Sequence, residues 1–285
     1  MKIHLTGSNE HPTVTDRTAL SMGLFGDYKI SPEIARERWQ ELEQAWRKAL
    51  DADEPKVYYN LGVCFAHLGQ YDEAVRQFRK ALDLRADDAD TNTNLAITLV
   101  KSGKPDEAIP HFQKALELRP GDAQAYSNLG GLMEESGQLD GAIAEFRKAL
   151  EIDPSDADAH NNLAVALVNA NRPEEAIPHF ERALILNPNS RDYRYNLARV
   201  LLNQGQVSEA ISQLEKVSSP PDPAVLATLA SAYAKAGRFS DALPVAKEAL
   251  GLASQQGKRD LAARLEHMIA SFPDTAAPGT ARANP

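Results

Sequence analysis

From Tyr58 to Leu84 the chain reads YYNLGVCFAHLGQYDEAVRQFRKALDL, with apolar residues recurring at steps of three and four. That is the period of a helix with one buried face. Gly69 falls in the middle, where a residue that takes the left-handed conformation cheaply ends one helix before the next begins. The stretch therefore predicts two helices. The same pattern then returns at intervals of 34 residues: Leu61 is followed by Leu95, Leu129, Leu163 and Leu197. Ala74, Ala108, Ala142, Ala176 and Ala210 form a second column, and Phe78, Phe112, Phe146 and Phe180, with Leu214 next, a third. Ala81, Ala115, Ala149 and Ala183 lead to Val217. Gly69, Gly103, Gly137 and Gly205 share a place that Asn171 takes in the fourth repeat, and Pro120, Pro154 and Pro188 separate repeats. A fixed period of this length predicts a stacked array, in which no repeat can bury its apolar face alone.

The helix ends are legible too. Asp88, Asp122, Asp156, Ser190 and Asp222 precede the first helix of their repeats, where a short side-chain oxygen accepts from an orphan N–H. Pro110, Pro178 and Pro244 fall within about a turn of the start of a second helix, where few intrahelical donors are lost, so the helices stand. Alanine or glycine at positions 62, 96, 130, 164, 198 and 230 predicts close approach of the paired helices.

The Leu-Gly/Ala, inner Gly, Ala, Phe, Ala and Pro at these offsets resemble the tetratricopeptide repeat, over about residues 55–256. Six repeats are expected, at 55–88, 89–122, 123–156, 157–190, 191–222 and 223–256. The resemblance implies an all-α fold, a right-handed superhelix whose concave face, lined by the first helices, usually binds peptides. The fifth repeat has only 32 residues and ends in VSSPPDP, so its second helix should stop early; Ala246 replaces the expected Phe in the sixth. A helix at 258–271, with Leu261, Leu265, Met268 and Ile269 on one face, should cover the last repeat. At the other end Ser31-Pro32-Glu33 reads as a helix start, and 31–52, with Trp39, Leu42, Trp46 and Ala49, as a capping helix. Residues 1–30 show no period and form an irregular arm, with a short helix near Asp16–Phe25; 273–285 is a Pro/Ala/Gly-rich tail expected to be disordered.

Within each repeat, positions 4, 7, 8 and 11 point into the stack and positions 2, 6, 9 and 13 point away. Position 6 reads Asn60, Asn94, Asn128, Asn162 and Asn196, then Thr228. Asparagine in a helix interior costs roughly half a kcal/mol against alanine, so local helix stability does not select it. An amide carries both donor and acceptor, and a row of them suits the main chain of an extended peptide. The row resembles the asparagine ladder in the tetratricopeptide arm of O-linked N-acetylglucosamine transferases, without a glycosyltransferase domain. The alternative is that these amides bond to neighbouring repeats. Val63, Ile97 and Val165 at position 9, Tyr59 and Tyr195 at position 5, and Lys101 and Arg199 complete the candidate binding face. Val63, Ile97 and Val165 suit either ligand pockets or contact with the adjacent repeat. Charges on this face mix, with Lys56, Lys101, Arg199 and Lys235 against Asp90, Glu135, Asp158 and Asp192. Tyr59, Val63, Gln124 and Asn128 stand where the chaperone-binding carboxylate clamp needs other residues, so a Glu-Glu-Val-Asp-type C-terminus is not an expected ligand.

Composition narrows the classes. A formal charge of −9 disfavours nucleic acid as main partner. One cysteine, Cys64, excludes an internal disulfide or multi-cysteine metal site and reads as a small core filler. The N-terminal MKIHLTGSNEHPTV lacks an apolar signal region, and no run is long enough to span a membrane, which predicts a cytoplasmic protein. No catalytic motif appears; His111 and His179 are 68 residues apart and read as exposed side chains. The expectation is a non-enzymatic scaffold without cofactor or metal that binds a protein or peptide partner. Two rivals stay open: a self-assembling adaptor using the N-terminal arm, and an accessory arm of a protein glycosyltransferase or membrane-associated complex.

Overall fold

A computed structural model describes residues 32–48 and 54–273. The arm at 1–30 with its short helix, the edges of the 31–52 helix and the tail from 274 onward lie outside the described residues. Fourteen α-helices and no strand occur among the described residues. They are α1 (Pro32–Lys48), α2 (Pro55–His67), α3 (Tyr71–Leu84), α4 (Ala89–Lys101), α5 (Pro105–Leu118), α6 (Ala123–Glu135) and α7 (Leu139–Ile152). There follow α8 (Ala157–Asn169), α9 (Pro173–Leu186), α10 (Arg191–Asn203), α11 (Val207–Glu215), α12 (Pro223–Lys235), α13 (Phe239–Gln255) and α14 (Arg259–Ala270). The chain divides into two compact units, one ending at Leu132 and the other beginning at Met133.

Caps and breaks set the helix ends. Asp88, Asp122 and Asp156 each accept from the backbone N–H three residues on, at 3.0 Å. Ser190 Oγ accepts from Tyr193 N at 3.3 Å, and Asp222 accepts from Ala224 N and Val225 N at 2.8 and 3.1 Å. The break inside each repeat needs a positive φ: Gly137 stands at 76°, and Asn171 holds the same place at 59°. The Asn171 amide makes that strain tolerable where a β-branched residue would not.

In the N-terminal unit α2 pairs with α3 and α4 with α5, α3 packs on α4, and the first helices α2 and α4 also touch. Phe65, Phe78, Phe112, Leu61, Leu95 and Leu99 are almost fully buried. Gly62 has a steric reason: a Cβ there would lie 2.6 Å from the Phe78 ring. On α1, Trp39 and Trp46 are buried, and Trp39 stacks on His67 with ring centroids 4.0 Å apart. Arg47 lies over the Phe65 ring. These contacts cover the outer side of α2.

The C-terminal unit repeats the scheme, with α8 on α9, α10 on α11, α12 on α13, and the first helices α8, α10 and α12 in successive contact. Ile143, Phe146, Leu163, Leu167, Phe180 and Leu214 form its centre. Removing a buried Phe from such a core costs on the order of 3–5 kcal/mol. The second helix of the fifth repeat, α11, has 9 residues against 14 in α7 and α9. The Pro-Pro pair after it cannot continue a helix. Leu265 of α14 is fully buried against Leu226, Ala230, Ala246 and Ala249, with Leu261, Met268 and Ile269 partly buried around them. With Ala246 in place of an aromatic ring, α14 supplies the missing volume.

Candidate functional site

The candidate residues sit on the first helices, and each unit gathers some of them. In the N-terminal unit Val63, Asn94, Ile97 and Lys101 line one cleft of about 110 Å³. His67, Phe78 and Thr98 share it. Helical spacing explains the set: Asn94, Ile97 and Lys101 succeed each other along one face of α4, and Val63 and His67 along the facing side of α2. In the C-terminal unit Tyr195 and Arg199 of α10 line a larger cleft of about 370 Å³ with Thr228, Ser231 and Lys235 of α12. Leu261, Arg264, Leu265 and Met268 of α14 line it too.

The amides are neither fully free nor fully spent. Asn94 Nδ2 donates to Tyr59 Oη of the preceding repeat at 3.0 Å, and Asn196 Nδ2 donates to Asn161 Oδ1 at 3.1 Å. Tyr195 Oη and Thr228 Oγ1 meet at 3.2 Å across the next boundary. All three follow one rule: position 6 of a repeat bonds to position 5 of the repeat before it. Within their own helices Asn128 accepts from Gln124 at 3.2 Å, and Asn162 accepts from Asn161 at 3.2 Å. The Asn60 side chain, half-buried, makes no hydrogen bond with another described residue. An amide offers two donors and two acceptor lone pairs, so Asn94 and Asn196 each keep a donor and the carbonyl oxygen. At Asn94, Asn196 and Thr228, position 6 thus joins a repeat to the one before it.

The apolar candidates divide. Val63 and Ile97 face the smaller cleft, whereas Val165 packs against the C-terminal core. Tyr59 is tilted on Phe78 at 6.0 Å, and the Arg199 guanidinium lies over the Tyr195 ring at 5.7 Å. Position 5 as a hydrogen-bonding column, and Asn161 within it, were not singled out from the sequence. The readable signal was the 35-residue spacing of Tyr59 from Asn94 and of Asn161 from Asn196.

The match to family models settles the class. The tetratricopeptide repeat model family matches residues 55–88, 93–157, 161–225 and 225–260. The chain is a tetratricopeptide repeat protein. Among curated proteins none matches significantly. Among solved structures this repeat protein is similar to YrrB, described as a TPR protein with an unusual peptide-binding site. The identity is 28%, over 67% of this chain and 97% of that one, with a TM-score of 0.57. It is similar to MamA at 25% identity over 60% of this chain and 94% of that one, TM-score 0.56. PilF of Pseudomonas aeruginosa, at 20% identity over 76% and 98% of the two chains with a TM-score of 0.63, shares the fold.

No group of three His, Cys, Asp or Glu that could hold a metal occurs among the described residues, and no helix of theirs is long and apolar enough to cross a membrane. Burial, aided by the charge of Glu43, pushes the Cys64 thiol up to about 12, so the thiolate nucleophile is not formed at neutral pH. The two histidines expected to be exposed are half-buried instead. His111 Nδ1 meets Asn92 Oδ1 at 3.0 Å, and His179 Nδ1 meets His160 Nδ1 at 3.0 Å. Arg194 and Gln213 occupy the same two places in the fifth repeat, bonded at 2.9 Å. This is a polar clasp between paired helices, and burial holds His111, His160 and His179 below the usual histidine value.

Proposed function

We propose that this tetratricopeptide repeat protein is a non-catalytic scaffold whose first-helix face takes an extended peptide segment of a partner protein. The observation that carries this reading is the cleft of the N-terminal unit. It brings an amide with unspent hydrogen-bonding capacity, Asn94, beside apolar Val63 and Ile97 and cationic Lys101. Amides suit a peptide main chain, which offers a donor and an acceptor at each residue, while the apolar walls suit its side chains. Each main-chain bond nets about 1 kcal/mol, and ordering the peptide offsets part of that, so micromolar affinity is the expected scale. The peptide-binding site named for YrrB lends support from a protein of the same repeat type.

The test is affinity capture with the intact chain and with Asn94, Asn128 and Asn162 changed to Ala. Prey lost from the variant, with circular dichroism unchanged, supports the reading. Equal prey from both proteins sinks it and leaves the amides a purely structural role.

A further inference from the structure

The larger cleft, in the C-terminal unit, has a charge character that the sequence did not reveal. Its walls come from three helices, α10, α12 and α14, and each contributes one cation: Arg199, Lys235 and Arg264. No carboxylate lines it. None of the three cations forms an ion pair with a described residue: Arg199 lies over the Tyr195 ring, and Arg264 Nε reaches only the Asp260 carbonyl, at 3.4 Å. In a chain of formal charge −9, three cations around about 370 Å³ with no ion pair to a described residue are a local reversal of sign. Leu261, Met268 and Ala227, all partly buried, line the same cleft.

Resting on the peptide-binding reading above, we infer that this cleft takes an acidic segment of a partner, with at least two Asp or Glu side chains beside an apolar one. Like charges held near one another repel, and an anion placed among them relieves that repulsion while gaining from each. One carboxylate engages one guanidinium bidentately. Three cations on three helices therefore call for more than one carboxylate. The apolar wall of Leu261 and Met268 suits a Leu or Met between the acids and gives a polyphosphate chain nothing to contact. Arg264 joins the site only because α14 packs beside α12 at the end of the stack. This arrangement differs from the carboxylate clamp excluded above, whose positions carry Tyr59, Val63, Gln124 and Asn128 here.

The test uses the full chain and a phage-displayed library of random twelve-residue peptides, each fused at its C-terminus so that no free terminal carboxylate is offered. Enriched clones should carry two or more Asp or Glu within about four residues, next to Leu or Met. Their affinity should fall at least tenfold in R199Q/K235Q/R264Q. All three side chains are exposed, so that variant should keep its circular dichroism. Binding should also weaken between low and 0.5 M salt, as screened ion pairs do. Neutral or basic clones that bind the wild type and the triple variant alike overturn the acidic assignment and leave peptide binding intact. A library with no enriched clone overturns both. A single-stranded thymidine oligonucleotide is run alongside; binding tighter than that of the best peptide overturns the assignment in favour of nucleic acid.

Discussion

Asn94 and Asn60 occupy the same place in successive repeats, yet their surroundings differ, and alanine at each should act in opposite directions on stability. Asn94 donates to Tyr59 across the repeat boundary at 3.0 Å, in a half-buried setting. Removing the amide forfeits a net hydrogen bond of about 0.5–1.5 kcal/mol, against which alanine returns about 0.5 kcal/mol of helix propensity. The Asn94→Ala variant should therefore be destabilised by roughly 0–1 kcal/mol. Asn60 has no such bond among the described residues, so Asn60→Ala keeps only the propensity gain and should be stabilised by about 0.5 kcal/mol. A double-mutant cycle of Tyr59→Phe with Asn94→Ala isolates the pair term, expected at about 0.5–1.5 kcal/mol. Urea unfolding followed by circular dichroism supplies the numbers, with hydrogen exchange on α2 and α4 to check that the change is local, since repeat arrays need not unfold in one step. A coupling energy of zero would show that the bond contributes nothing. Asn60→Ala as destabilising as Asn94→Ala would show that position 6 is structural throughout, and the open-face reading would lose its basis.

Three glycine-to-alanine changes should separate three physical causes in the same assay. Gly62→Ala should cost about 1–3 kcal/mol by overpacking against Phe78, whereas Gly131→Ala, in a helix with open space around it, should stabilise by about 0.5–1 kcal/mol. Gly137→Ala, equally unobstructed but at φ 76°, should cost about 1–2 kcal/mol from the backbone alone; a uniform sign across the three would refute the assignment. Stability should also fall as pH drops from 7.5 to 5.5. His160 and His179 have folded values lowered, chiefly by burial, below the usual 6.5, so beneath 6.5 the unfolded chain binds protons that the folded one resists. The slope is bounded near 1.4 kcal/mol per pH unit for each histidine, and the solvent on the exposed half of each ring reduces it. His179→Gln should flatten the thermal-melt profile in this window without abolishing it, because His67 and His111 shift in the same direction; an unchanged profile would exclude the clasp as its source.

Local preferences in the chain were enough to define its repeating fold. The 34-residue period, the capping Asp and Ser residues and the glycine breaks each act within one helix pair or its turn, so they are legible without coordinates. Asn171 could be placed by register even though its residue type departs from the column. The close approach of the paired helices at Gly62 was likewise implied by the column of small residues. Harder to read was anything joining residues a repeat apart. The bonds from Asn94 to Tyr59 and from Asn196 to Asn161 depend on the offset between stacked helices, which a column-by-column reading hides.

What the sequence determined by itself is therefore the repeat and the faces its helices present, because backbone propensity and the burial of apolar columns act at short range and recur. Only the tertiary structure decided which of those faces meet. It spent part of the amide row on neighbouring repeats, packed Val165 against the core, and drew Arg199, Lys235 and Arg264 around one cleft although they lie far apart in sequence. The physical reason is that charge and hydrogen-bond satisfaction depend on distances in space, and those are fixed by how one helix pair docks on the next.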